Sequence, residues 1–160
     1  MSKPKILFKY PCRGRESMFF ESLDSIYHNM ADNENFHVSL TIDEDDEVLN
    51  NPGVLASINT YPNCSIEWGL SENKIHAINR SMPKYDYDIL VCWSNDMFLT
   101  FYGFDEYLRQ KIEEVSPDYD LLLHIPDWDA KEQLNVLYIA TRKYYDRFGY
   151  IYHPSYKSLS

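Results

Sequence analysis

The polar residues best suited to chemistry come just after short apolar runs. Ile89-Leu90-Val91-Cys92-Trp93 ends in Ser94-Asn95-Asp96-Met97. A short apolar run bounded by polar residues suits a buried strand. A carboxylate just past such a strand can hold a hard divalent cation, and that cation can hold a diphosphate. The same metal would offset charge developing on a departing phosphate group. Pro11, Arg13 and Arg15 follow an earlier apolar run. Guanidinium groups there can grip a diphosphate or stack on a base. Thr41-Ile42-Asp43-Glu44-Asp45-Asp46 closes another run. An ionised Asp43 can accept a hydrogen bond from a base N–H, a contact that gives specificity.

The elements that must position these residues follow from periodicity. Lys5–Phe8 reads as a first strand stopped by Pro11. Phe19, Leu23, Ile26, Tyr27 and Met30 recur at helical spacing, predicting a helix from about Arg15 to Met30. Phe36, Val38, Leu40 and Ile42 alternate with polar residues, predicting a strand with one better-covered face. Asn51-Pro52-Gly53 starts a loop or short helix. Ser65–Trp68 is a third strand, and Ser71 is the expected cap of a helix carrying Ile75, Ile78 and Met82. The strand before Asp96 comes fourth. A helix carrying Leu108, Ile112 and Val115 follows Gly103. Leu121–Ile125 is a fifth strand, with Asp127 just beyond it, and Leu134–Ala140 a sixth. Thr141 is then placed to cap a short helix that Gly149 ends.

Strands and helices alternate throughout, so the expected class is α/β: a single domain over residues 1–160, with a mostly parallel sheet flanked by helices. In a parallel sheet the carboxyl ends of the strands share one edge, where ligands bind. Arg13 and Arg15, Asp43 and Asp45, Asn73 and Lys74, Asn95 and Asp96, and Asp127 all fall at such ends. Their convergence is a stronger signal than any one motif.

Bulk properties narrow the partners. A net charge of −10 argues against nucleic acid and anionic membrane. No segment has the length and apolarity of a membrane span or a signal peptide. The three cysteines, Cys12, Cys64 and Cys92, lack metal-ligand spacing. Reduced thiols in the cytoplasm are the simplest reading.

The arrangement resembles the nucleotide-sugar half of A-type (GT-A fold) glycosyltransferases, especially the family-two-like group. Pro11-Cys12-Arg13-Gly14-Arg15 looks like the opening loop beside the nucleoside, and Thr41–Asp46 like the acidic base-reading strand end. Asn73-Lys74-Ile75-His76-Ala77-Ile78-Asn79 looks like the helix bearing Lys, Ala and Asn. Ser94–Met97 stands in the place of the acidic metal motif, with Asn95 where the family usually has a second carboxylate.

The resemblance implies a hexosyltransferase that takes a nucleoside-diphosphate sugar, with UDP-sugar as the expected donor. Its metal would be Mn2+ or Mg2+, and its acceptor an unknown hydroxyl on a glycan, protein or small molecule. The implied donor site is Pro11, Arg13, Arg15, Asp43, Asp45, Asn73, Lys74, Asn79, Asn95 and Asp96. Asp96 and Asn95, with His153, are the implied metal ligands, and Asp127 is the candidate base. Similar enzymes continue past Gly149–Pro154 into an acceptor region, so the chain reads as a core lacking that region.

Plainer readings stand beside these. The Asp43–Glu47 run can be a solvated turn; an EF-hand is disfavoured because Val48 occupies its glycine position. Asp96 can cap a helix, Asn79 can bond backbone, and His153 can sit in an aromatic turn. Two other functions compete. One is a non-catalytic nucleotide-sugar-binding or assembly module. The other is an aspartate-dependent phosphatase using Asp43 as nucleophile.

Overall fold

The computed structural model describes residues 2–125 and 137–157. In chain order the elements are β1 (Ile6–Cys12), α1 (Glu16–Asn29), β2 (Phe36–Asp43), α2 (Pro52–Ile58), β3 (Cys64–Gly69), α3 (Lys74–Asn79), β4 (Ile89–Cys92), α4 (Phe104–Val115), β5 (Leu122–Leu123), β6 (Ile139–Thr141) and α5 (Arg142–Tyr145). The sheet order is β3-β2-β1-β4-β6-β5. β1 to β4 are mutually parallel, whereas β6 runs antiparallel to both β4 and β5. The expected mostly parallel α/β sheet is therefore present, with one reversed strand. The sixth expected strand is shorter than Leu134–Ala140, and its first residues, 134–136, lie outside the described region.

Alternation along the strands separates two cores. Ile6, Phe8 and Tyr10 of β1 face the apolar sides of α1, α2 and α4, where Leu23, Ile26, Val54, Ile58, Leu108 and Ile112 are buried. Leu7 points the other way, into a smaller core with Ile75 and Ile78 of α3, Leu90, Tyr138 and Ile151. Each fully buried side chain of this size contributes roughly 1.5–3 kcal/mol. Asp105 is wholly buried and ties α4 to the end of α1. It accepts from the Ala31 and Asp32 amides and from Arg109 at 2.7 Å.

Two expectations change. β1 continues through Pro11 to Cys12, paired with β2 over its whole length. Pro11 is tolerated because the β1–β4 ladder ends at Lys9 and Cys92. The Lys9 carbonyl faces β4, bonding Trp93 N, so the side of Pro11 that lacks a donor falls where that ladder is over. β2 is covered on both faces, not one: seven of its eight residues are buried. Alternation misled because Ser39 and Thr41 are small enough to sit under α3's side of the sheet without forcing it open.

Candidate functional site

The carboxyl edge of the four parallel strands opens into a cleft of about 690 Å³. It is lined from β1's end by Pro11, Cys12, Arg13 and Arg15, from β2's end by Thr41, Asp43 and Asp45, from the β3–α3 turn by Ser71 to Lys74, with Ala77, and from β4's end by Ser94, Asn95 and Asp96. Nine of the residues singled out by sequence thus meet in one place: Pro11, Arg13, Arg15, Asp43, Asp45, Asn73, Lys74, Asn95 and Asp96. Asn79 and His153 do not line it, and Asp127 lies outside the described residues.

The loop after β1 is held by backbone geometry and one buried acid. Gly14 and Arg15 both take left-handed conformations (φ 56° and 51°), turning the chain sharply into α1. Asp46, almost fully buried, accepts from Gly14 N at 2.8 Å and from the Val48 and Leu49 amides. The β1 and β2 ends are therefore locked together behind the cleft.

Asp43 is the electrostatic centre of the site. Ser71 Oγ donates to its Oδ1 at 2.6 Å, Arg80 Nη2 to the same oxygen at 2.8 Å, and Arg13 Nη1 to Oδ2 at 2.9 Å. Burial alone would raise its carboxyl pKa. The hydrogen bonds from Ser71 and Arg80 and the charges around it outweigh burial and hold it below the usual carboxylate value. Asp43 is thus a fixed anion and an acceptor only, with part of its lone-pair capacity left.

Sequence reasoning missed Arg80. Its Nε donates to Ser71 Oγ at 2.7 Å and its Nη2 also reaches the Ile42 carbonyl at 3.2 Å. Gly69 makes room for it: a Cβ there would stand 2.7 Å from Nη1. No local motif marks Arg80, because its partner Asp43 is 37 positions away. Ser71, expected as a helix cap, is spent on this cluster. Asn73 caps α3 instead, its Oδ1 accepting from His76 N at 2.9 Å.

The cations of the cleft divide into two sets. Arg13 is more than half exposed and forks onto Asp45 at 2.8 and 3.2 Å while touching Asp43. That hydrogen bond from Arg13 keeps the Asp45 carboxyl below its ordinary pKa. Arg15 and Lys74 line the cleft without a carboxylate partner among the described residues. Beneath the floor, Lys9 is fully buried, donating to Thr41 Oγ1 and to Ser81 O at 3.2 Å. Burial pushes its ammonium down to about 8, partly opposed by the negative charge of Glu67.

At β4's end, the Asn95 Oδ1 is buried and has no hydrogen-bond partner among the described residues, while Asp96 is exposed and accepts from Ser94 Oγ. An orphaned amide oxygen next in sequence to a carboxylate is a donor pair of the kind that would hold a divalent cation. No group of three or more His, Cys, Asp or Glu among the described residues could hold a metal. His153 instead accepts from Ser155 N at 3.2 Å and packs against Tyr150 and Tyr156. Asn79 is committed to backbone: its Nδ2 donates to Tyr152 O at 2.6 Å and its Oδ1 accepts from Ile151 N at 2.8 Å and Tyr152 N at 3.2 Å. No helix among the described residues is long and apolar enough to cross a membrane.

No protein-family model and no curated protein matches the sequence. Solved structures do. The mannosyltransferase PcManGT from Pyrobaculum calidifontis, in complex with GDP-Man and Mn2+, superposes with a TM-score of 0.67 at 13% identity, over 94% of this chain and 48% of that one. S. aureus TarS 1-349 in complex with UDP gives 0.58 at 13% identity, over 69% of this chain and 32% of that one. The same protein with UDP-GlcNAc gives 0.52 at 14% identity. This chain therefore spans about half or less of the length of these structural neighbours. At such identities the likeness speaks to fold alone: the chain has the single-domain α/β fold of GT-A-type nucleotide-diphospho-sugar transferases.

Proposed function

We propose that the cleft binds a nucleoside-diphosphate sugar and that the protein serves sugar transfer from it. The observation that carries this reading is the convergence of four strand ends on one cleft, in a fold shared with nucleotide-sugar transferases. Asp43, held ionised, accepts from a base that presents an N–H, as the ring N–H of uracil or guanine does. Arg15 and Lys74 supply the positive charge for the diphosphate, and Arg13 shapes the nucleoside side of the cleft. UDP-sugar is the donor we assign. Asn95 and Asp96 are the residues that would hold Mn2+ or Mg2+, whose chemistry is to neutralise charge on the leaving diphosphate. Asp127, on the chain just past β5, is the proposed base for the acceptor hydroxyl. The family-two-like assignment and a cytoplasmic setting belong to the same proposal, the latter supported by three free cysteines.

The phosphatase reading loses support, because both oxygens of Asp43 are already engaged by guanidinium groups and Ser71, leaving a poor nucleophile. Calorimetric titration of the protein with UDP, GDP and their sugar conjugates, with and without Mn2+, tests the proposal. Saturable binding of a UDP or GDP compound, strengthened by metal and weakened in Asp96→Ala, is the expected result. Absence of binding in every condition overturns it. Binding without turnover on any acceptor would assign the protein as a donor-binding module.

A further inference from the structure

A second groove, of about 310 Å³, lies on the α3 side of the sheet beyond β4. Among the described residues seven line it, and five of these are aromatic: Tyr138, Tyr144, Phe148, Tyr150 and Tyr152. None of the seven carries a charge. These residues offer no cation to a phosphate or carboxylate, and the volume is at the lower end for a small-molecule site. Aromatic faces are weakly negative and attract polarised C–H bonds, so they suit the flat apolar side of a sugar ring.

Two further observations bear on a hydroxylated ligand and on its place in the fold. The hydroxyl of Tyr138 is buried and has no hydrogen-bond partner among the described residues, an unfavourable state that a ligand hydroxyl can relieve after a small side-chain shift. One wall of the groove, Tyr138, is also paired with the end of β4. Tyr138 O accepts from Cys92 N at 2.9 Å, two residues before cleft-lining Ser94. Asn79 pins Tyr152 to α3, the helix whose Lys74 and Ala77 line the cleft.

We infer that this aromatic groove is a binding site for a neutral saccharide ring, the acceptor for the reaction. The acceptor role rests on the nucleotide-sugar reading; the saccharide site does not. Three of the aromatic residues come from the segment after α5, and the uncharged lining predicts selection for neutral over anionic sugars.

The test is ligand-observed saturation-transfer NMR with methyl α-mannopyranoside, methyl β-glucopyranoside and methyl β-N-acetylglucosaminide, with cyclohexanol and a methyl glucuronide as comparators. UDP binding is measured in parallel on wild type, Tyr150→Ala and Tyr138→Phe. Saturable binding of at least one neutral glycoside is expected, with transfer concentrated on one face of the ring. Tyr150→Ala should weaken it by about tenfold, the loss of one aromatic contact. Tyr138→Phe should weaken it several-fold without lowering thermal stability, since the hydroxyl it removes is unpaired. UDP affinity should be unchanged in both variants. No glycoside binding, equal binding of cyclohexanol, or glycoside binding untouched by Tyr150→Ala overturns the saccharide site. If UDP binds and glycosides do not, the groove fails while the donor reading stands. If glycosides bind and UDP does not, the saccharide site stands and its acceptor role falls.

Discussion

Arg80 and Asp43 form a buried ion pair at 2.8 Å, with 9% of each side chain exposed. Asp43 lines the cleft and Arg80 does not, so the guanidinium holds the orientation and charge of Asp43 from behind. Losing one partner leaves a charge buried and uncompensated, which costs roughly 3–5 kcal/mol. Arg80→Met should therefore destabilise the fold by about 3 kcal/mol. Arg13→Met, which removes the exposed partner of the same carboxylate, should cost under about 1 kcal/mol. Urea unfolding of both variants decides this; equal losses would mean the buried pair has no special weight.

Gly69 gives an independent handle on that pair. A methyl group there meets Arg80 Nη1 at 2.7 Å, and the guanidinium is too well bonded to move freely. Gly69→Ala should displace Arg80 and weaken nucleotide binding by about tenfold or more, the scale of one charge-assisted hydrogen bond. Combined with Arg80→Met, it should add little further loss. Additive effects in a double-mutant cycle would show that Gly69 acts through something else.

Lys9 makes stability depend on pH in a defined direction. Its pKa is lowered from 10.5 to about 8 in the folded state, so the unfolded chain binds more protons between those values. Stability attributable to Lys9 is therefore lowest below pH 8 and rises toward pH 10.5. Between about pH 8 and pH 9.5, wild type should gain about 2 kcal/mol relative to Lys9→Met. The buried cysteines and tyrosines titrate in both proteins and largely cancel in the difference. A flat difference across that range would show that the ammonium is not penalised by burial.

Asn79 and Asp96 separate scaffold from site. Asn79→Ala removes three hydrogen bonds to Ile151 and Tyr152 and should cost about 2–3 kcal/mol, with UDP affinity retained in the folded fraction. Asp96→Ala removes an exposed carboxylate and should alter stability by no more than about 0.5 kcal/mol. Its effect should instead appear as loss of the Mn2+-dependent gain in UDP affinity. Reversed results would exchange the roles of the two residues.

The order of the first four strands and the helices between them was legible because buried parallel strands leave dense apolar runs. The same runs located the cleft, since residues just past them share an edge. What sequence left hidden was set across long separations. Arg80 has no motif, only a partner brought to it by the fold. Asn79, by contrast, sits within a suggestive motif, yet its amide is consumed by the chain at Ile151 and Tyr152. The direction of β6 was also unreadable, because a short apolar run says nothing about which way it is traversed.

That reversed strand has a consequence for how the protein can change. β5 ends and β6 begins at the same rim of the sheet as the cleft, since β6 runs against both neighbours. β5 is bonded only to β6, so a change confined to β5 leaves the ladders of β1 to β4 in register. Evolution, or an engineer, could therefore vary this edge of the sheet while the strands that end at the cleft keep their sequence.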